Sequence, residues 1–119
     1  DRWVTVQFTT SNNAQMPWEF RAKEAVIKVR PGEINEAFFV ATNTTDRAMS
    51  AHAVPSLSLF SATEYFNKTE CFCFNQQTLE PGESIEMPLR FFVAKDIPER
   101  MSKLTLSYTL FGLPEVVAN

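Results

Sequence analysis

Hydrophobic and polar residues alternate with a period of two along much of this chain, the spacing of a β-strand that buries one face. Arg2 to Thr9 places Val4, Val6 and Phe8 on one side and Trp3, Thr5 and Gln7 on the other. Lys103 to Phe111 sets Leu104, Leu106, Tyr108 and Leu110 against Thr105, Ser107, Thr109 and Phe111. Between these two, the same signals predict extended pieces at Trp18 to Arg21, Ala25 to Arg30, Ile34 to Asn43, Ala48 to Ala53, Tyr65 to Phe74 and Ile85 to Ala94. Pro31-Gly32-Glu33 and Pro81-Gly82-Glu83 punctuate the series. In each, proline presets φ and glycine accepts the positive φ of a type II turn. Asn43 to Asp46 and Lys95 to Ser102 read as loops, Pro55 to Thr63 as a serine-containing connection, and Leu113 to Asn119 as a tail. No segment longer than about eight residues holds a helical period.

About seven short strands joined by turns define the expected fold class as all-β, an immunoglobulin-like antiparallel β-sandwich. The antibody-type Cys…Trp…Cys spacing is absent, so this expectation rests on the strands alone. The 119 residues make a single domain, 1–119, long enough to bury a core without disulfide or metal staples. A hydrophobic content of 45%, with 11 phenylalanines, supplies that core and excludes a disordered chain. A net charge of −3 with no Lys/Arg run argues against a nucleic-acid surface. No apolar stretch approaches the roughly 20 residues that cross a bilayer. The first residue is Asp1, and the expectation is a trimmed domain whose targeting or anchoring segment lies elsewhere.

The candidate chemistry sits in Glu70-Cys71-Phe72-Cys73-Phe74-Asn75, which holds both cysteines of the chain. In an unbroken strand Cys71 and Cys73 share a face, and Phe72 and Phe74 take the other. Asn67 and Thr69 would then join the cysteines, while Lys68 and Glu70 would join the phenylalanines. Two strand rises put the cysteine Cα atoms about 6.6 Å apart with parallel Cβ vectors, near the upper limit for a disulfide. Soft thiolates select copper(I) or zinc over hard cations; two suffice for near-linear copper(I), whereas structural zinc takes four. Three alternatives stay open on the residues alone. The pair could be two small interior side chains, a strained thiol–disulfide couple, or a bystander in an interaction module that pairs strand edges with a partner.

Other side chains add little. His52 is the sole histidine, expected on the surface, with metal ligation as the alternative. Met16, Met49, Met87 and Met101 are scattered, without the clustered spacing of a thioether copper site, and Met87 reads as core filling. Without a histidine partner for serine or cysteine a hydrolytic triad lacks its base, and three glycines cannot build a phosphate-cradling loop, so an enzyme is not expected. Asn43-Thr44-Thr45 and Asn67-Lys68-Thr69 match the N-glycosylation pattern.

The run Tyr65-Phe66-Asn67-Lys68-Thr69-Glu70-Cys71-Phe72-Cys73-Phe74 resembles the signature of the CtaG family of cytochrome c oxidase assembly proteins. The resemblance extends to Met16-Pro17-Trp18-Glu19-Phe20, Val29 to Glu33, Gln77, Pro81-Gly82-Glu83, Met87-Pro88, Phe91-Phe92 and Leu104 to Phe111. It implies an immunoglobulin-like copper chaperone in which Cys71 and Cys73 are the copper(I) ligands and the cargo goes to the copper B centre of cytochrome c oxidase subunit I. It further implies an upstream copper donor, an N-terminal membrane helix, and a location at the bacterial inner membrane with the domain facing the periplasm. The mitochondrial inner membrane, with the domain in the intermembrane space, is the alternative. Family members usually carry a further cysteine close to the membrane helix, a region that this chain does not include. A metal held by two thiolates can also be bridged by a second copy, so copper-dependent homodimerisation is expected.

Overall fold

The computed structural model describes residues 2–13, 16–57, 65–71 and 76–112, with Ser56, Leu57, Glu70 and Cys71 described by backbone alone. Nine strands appear among them: β1 (Val4–Asn12), β2 (Glu19–Ala22), β3 (Val26–Val29), β4 (Ile34–Thr42), β5 (Met49–Leu57), β6 (Phe66–Cys71), β7 (Gln77–Leu79), β8 (Ser84–Val93) and β9 (Lys103–Gly112). They form a five-stranded sheet in the order β3-β1-β9-β5-β7 and a four-stranded sheet in the order β2-β4-β8-β6. The all-β sandwich expected from the alternation is therefore present, and β7 is the one strand among the described residues that the alternation did not mark. Its ladders are antiparallel except one: β1 and β9 run parallel from Thr5↔Lys103 to Asn12↔Leu110.

The inward residues are those the alternation selects. Val4, Val6 and Phe8 of β1 and Leu104, Leu106, Tyr108 and Leu110 of β9 are buried, facing Phe39 and Ala41 of β4 and Met87, Leu89, Phe91 and Val93 of β8. Aromatic rings knit the two sheets at the centre. Phe39 meets Phe8 edge-on at 5.6 Å and Tyr108 at 5.0 Å, and Phe8 meets Phe91 at 5.9 Å. Such pairs contribute about 0.5–1.5 kcal/mol each beyond the apolar area they bury.

Two turns confirm the glycine reading. Gly32 and Gly82 have φ of +89° and +75°. At Gly32 an added Cβ would also lie 2.7 Å from the Lys95 stem, which packs across the turn. Arg2 closes the opposite side of the same loop region. Its guanidinium donates to the carbonyls of Ile97, Pro98 and Met101, which fixes the charged 95–102 loop against the first strand.

Burial of Tyr108 raises its hydroxyl pKa above the ordinary value near 10. The unfolded chain therefore ionises first as pH rises, so this stabilisation is complete below about pH 10 and is lost above it. The thermal midpoint should fall between pH 9 and pH 11 more steeply than in Tyr108→Phe, and equal slopes would refute the assignment.

Candidate metal centre

β6 is the edge of the four-stranded sheet, and its first turn of chain is well anchored. Phe66 is buried and stacks on Phe91 at 4.9 Å, and Tyr65 O accepts from Ala94 N at 2.8 Å. From there the ladder with β8 runs Phe66↔Val93, Asn67↔Phe92 and Lys68↔Phe91, then shifts register and resumes at Glu70↔Arg90 and Cys71↔Leu89. Thr69 is the extra residue of this bulge, its hydroxyl donating to Arg90 O at 3.3 Å. A bulge with an exposed lysine beside it is a common way to keep an edge strand from pairing with another chain.

The bulge corrects the face assignment made from unbroken alternation. One extra residue moves everything after it by one position. Asn67 stands opposite the half-buried Phe92, whereas Cys71 stands opposite the fully buried Leu89, three residues earlier on β8 and on the other side of that strand. Asn67 therefore does not share the register side of Cys71, and Lys68, opposite buried Phe91, does. Desolvation by burial lowers the pKa of the Lys68 ammonium from its ordinary value. Nearby, Arg90 Nε lies 3.4 Å from Glu36 Oε2, an exposed pair that adds little stability.

Cys71 is the last described residue of β6, and Cys73, with Phe72 and Phe74, lies outside the described residues. The chain resumes at β7 in the other sheet, where Gln77 pairs with Ala51. The cysteine segment thus joins an edge of one sheet to an edge of the other. Among the described residues no cluster of three or more His, Cys, Asp or Glu could hold a metal. His52 follows Ala51 on β5, half-buried and stacked on Phe111 at 5.8 Å. Its Nδ1 is buried and has no hydrogen-bond partner among the described residues. Met87 and Met101 are buried core residues, and Met49 packs against the core from its edge.

Asn43 supports this region in a way that the glycosylation pattern hid. It is fully buried, with Nδ2 donating to Arg47 O at 2.8 Å and Leu79 O at 2.9 Å. Its Oδ1 accepts from Thr45 N at 2.9 Å and Thr45 Oγ1 at 2.7 Å. An amide so committed is not a glycan acceptor in the folded domain. It instead ties the end of β4 to β7, across the two sheets and just after the cysteine segment. The signal available in the sequence was a strand-terminal asparagine followed two residues later by threonine, a pattern suited to an Asx-type turn.

Nine strands in two sheets, with no helix among the described residues, define the class as an all-β sandwich. The family is specific: residues 1–112 match the model for the cytochrome c oxidase assembly protein CtaG/Cox11 family, and this chain belongs to it. It is similar to the cytochrome c oxidase assembly protein CtaG of Ruegeria sp. (strain TM1040), with 43% identity over 122 residues, 97% of this chain and 63% of that protein. It is similar to the same-named protein of Roseobacter denitrificans, with 39% identity over 126 residues, 100% of this chain and 65% of that protein. The human cytochrome c oxidase assembly protein COX11, mitochondrial, is 38% identical over 120 residues, 97% of this chain and 44% of that protein. The chain thus spans less than two thirds of the length of these relatives.

Proposed function

We propose that this domain is a copper(I) carrier for cytochrome c oxidase assembly, with Cys71 and Cys73 as the thiolate ligands and the metal as cargo. The observation that carries the reading is the Cys71-Phe72-Cys73-Phe74 element, which begins on the edge strand β6, in a chain of the cytochrome c oxidase assembly family. A metal that must be handed on belongs at a sheet margin, where an incoming ligand has access, and not inside a closed four-ligand cage. Transfer proceeds by associative exchange: an acceptor ligand binds copper(I), one protein thiolate leaves, and the second follows. The oxidation state of the metal does not change, and the protein performs no catalysis. The acceptor is the copper B centre of oxidase subunit I, and an upstream donor protein loads the site. An N-terminal membrane helix on the parent protein would hold the domain in the periplasm at the bacterial inner membrane.

Anaerobic copper(I) titration of the reduced domain tests this. Uptake that resists a weak competing ligand is expected; a reduced domain that takes up no copper would falsify the reading. Because two thiolates leave copper(I) open to further donors, loading should also bring two copies together. Sedimentation of the loaded domain at tens of micromolar should show a dimer, and a monomer there removes that part of the proposal.

A further inference from the structure

The outward face of the five-stranded sheet differs in charge from the rest of the molecule. Val4, Val6 and Phe8 point inward, so β1 turns Thr5, Gln7, Thr9 and Ser11 outward, and β9 sets Lys103, Thr105, Ser107 and Thr109 beside them. The middle rows are neutral and satisfy one another: Thr9 and Ser107 share a hydrogen bond of 2.5 Å, and Ser11 and Thr109 one of 3.1 Å. Charge enters where β1 and β9 begin and β3 stops. There Thr5 pairs with Lys28 on one side and Lys103 on the other, and the Arg30 guanidinium lies over the Trp3 ring at 4.6 Å. Two strand spacings put the lysine backbones about 10 Å apart. All three cations are exposed, and none is in an ion pair among the described residues.

No Asp or Glu stands on this face among the described residues, although the chain as a whole carries a net charge of −3. Glu24, Glu33, Asp96 and Glu99 belong to connections between strands. On the other sheet, by contrast, Lys23 and Arg90 are paired with Glu86 and Glu36. The same face also carries exposed apolar side chains: Trp3 at 49%, Val26 at 53% and Val54 at 42%.

We infer that this tryptophan-bearing, cationic end of the five-stranded sheet is a docking surface for an anionic lipid membrane. Three unpaired cations with no carboxylate among them complement a negative surface. The half-exposed Trp3 favours lipid over an acidic protein, because an indole has an apolar body and a polar edge and settles at headgroup level. The long stems of Lys28, Arg30 and Lys103 let their charges follow lipid phosphates without a fixed geometry. The hydroxyl rows behind them already bond to each other and ask for no matched polar partner. The inference does not rest on the copper(I) reading.

The test uses this chain, reduced and metal-free, with vesicles of phosphatidylcholine alone or of equal parts phosphatidylcholine and phosphatidylglycerol. Salt is held at about 0.1 M, where charges more than about 10 Å from the lipid are screened. Co-sedimentation should show binding to the mixed vesicles and none to the neutral ones. Acrylamide quenching should fall on binding; it reports Trp3, since Trp18 is 2% exposed. Lys28→Gln, Arg30→Gln and Lys103→Gln should each weaken binding about fivefold, the factor that one basic side chain near such a surface represents, and the triple variant should abolish it. A control triple variant, Arg21→Gln, Lys23→Gln and Arg47→Gln, removes the same charge away from this face and should bind like the parent. Absence of binding to the mixed vesicles, equal loss in the control, or unchanged quenching of Trp3 on binding would each overturn the proposal. Retention on a polyglutamate matrix without vesicle binding, lost in the Lys28, Arg30 and Lys103 triple variant, would give the face to an acidic protein instead.

Discussion

Asn43→Ala is expected to destabilise the domain by about 3–5 kcal/mol, the largest loss from a single polar side chain among the described residues. The side chain makes four hydrogen bonds from a fully buried position. Truncation leaves the Leu79 carbonyl, in the opposite sheet, without the donor it uses, and leaves the Thr45 N–H without its acceptor. A buried group so orphaned costs about 1–3 kcal/mol, and the half-buried Thr45 N–H less, against a total stability of roughly 5–15 kcal/mol for a domain of this size. Asn43→Asp keeps the shape but turns a carboxylate oxygen toward the Arg47 and Leu79 carbonyls. Desolvation and those dipoles raise its pKa, so the variant gains stability as pH falls toward 4 and loses it as pH rises. Urea unfolding of both variants at pH 5 and pH 8 would check this. Equal stability of Asn43→Asp at the two pH values would show that the amide donor does not matter.

The core was legible because it follows one rule. Val4, Val6 and Phe8 and the alternating leucines of β9 are buried as the period-two pattern requires. What escaped was set by partners distant in sequence. β7 is three residues long, too short for any pattern, and exists because Met49, Ser50 and Ala51 offer it an edge. β5 was expected to stop before Pro55, since proline removes a ladder donor. It continues to Leu57 because Leu110 O accepts from Asn13 N, which turns Tyr108 toward β1 and leaves Pro55, opposite Tyr108, with its nitrogen facing away from β9. The parallel pairing of β1 with β9 joins the two ends of the chain, and nothing local encodes it.

Around Cys71 the phase of the strand was not legible. The sequence singles out Cys71 and Cys73 by composition and neighbours, independent of any backbone detail. Placing Asn67 with them assumed that alternation survives from Asn67 onward, and the bulge at Thr69 breaks it. Bulges depend on how two strands meet, so Lys68-Thr69-Glu70 carries no mark of one.

Cys71→Ser and Cys73→Ser should each lower copper(I) affinity by more than about a hundredfold, since even outer-shell partners of a metal commonly account for 10- to 100-fold. Serine keeps the volume but offers a hard hydroxyl that stays protonated at neutral pH, a poor ligand for a soft ion. With only two protein ligands, losing one leaves no chelate, so the double variant should bind scarcely more weakly than either single variant. This non-additivity separates a two-coordinate carrier from a site with a further ligand such as His52, where each single variant would retain a measurable remnant and His52→Ala would weaken binding in turn. Folding supplies the complementary control. Thiols that serve as interior packing predict lowered stability and no copper phenotype, whereas ligands at a sheet margin predict nearly unchanged urea midpoints in the metal-free proteins. Competition titrations of the three variants, run beside those unfolding curves, distinguish the cases; single variants that retain parental copper affinity would remove the cysteines from the metal's coordination.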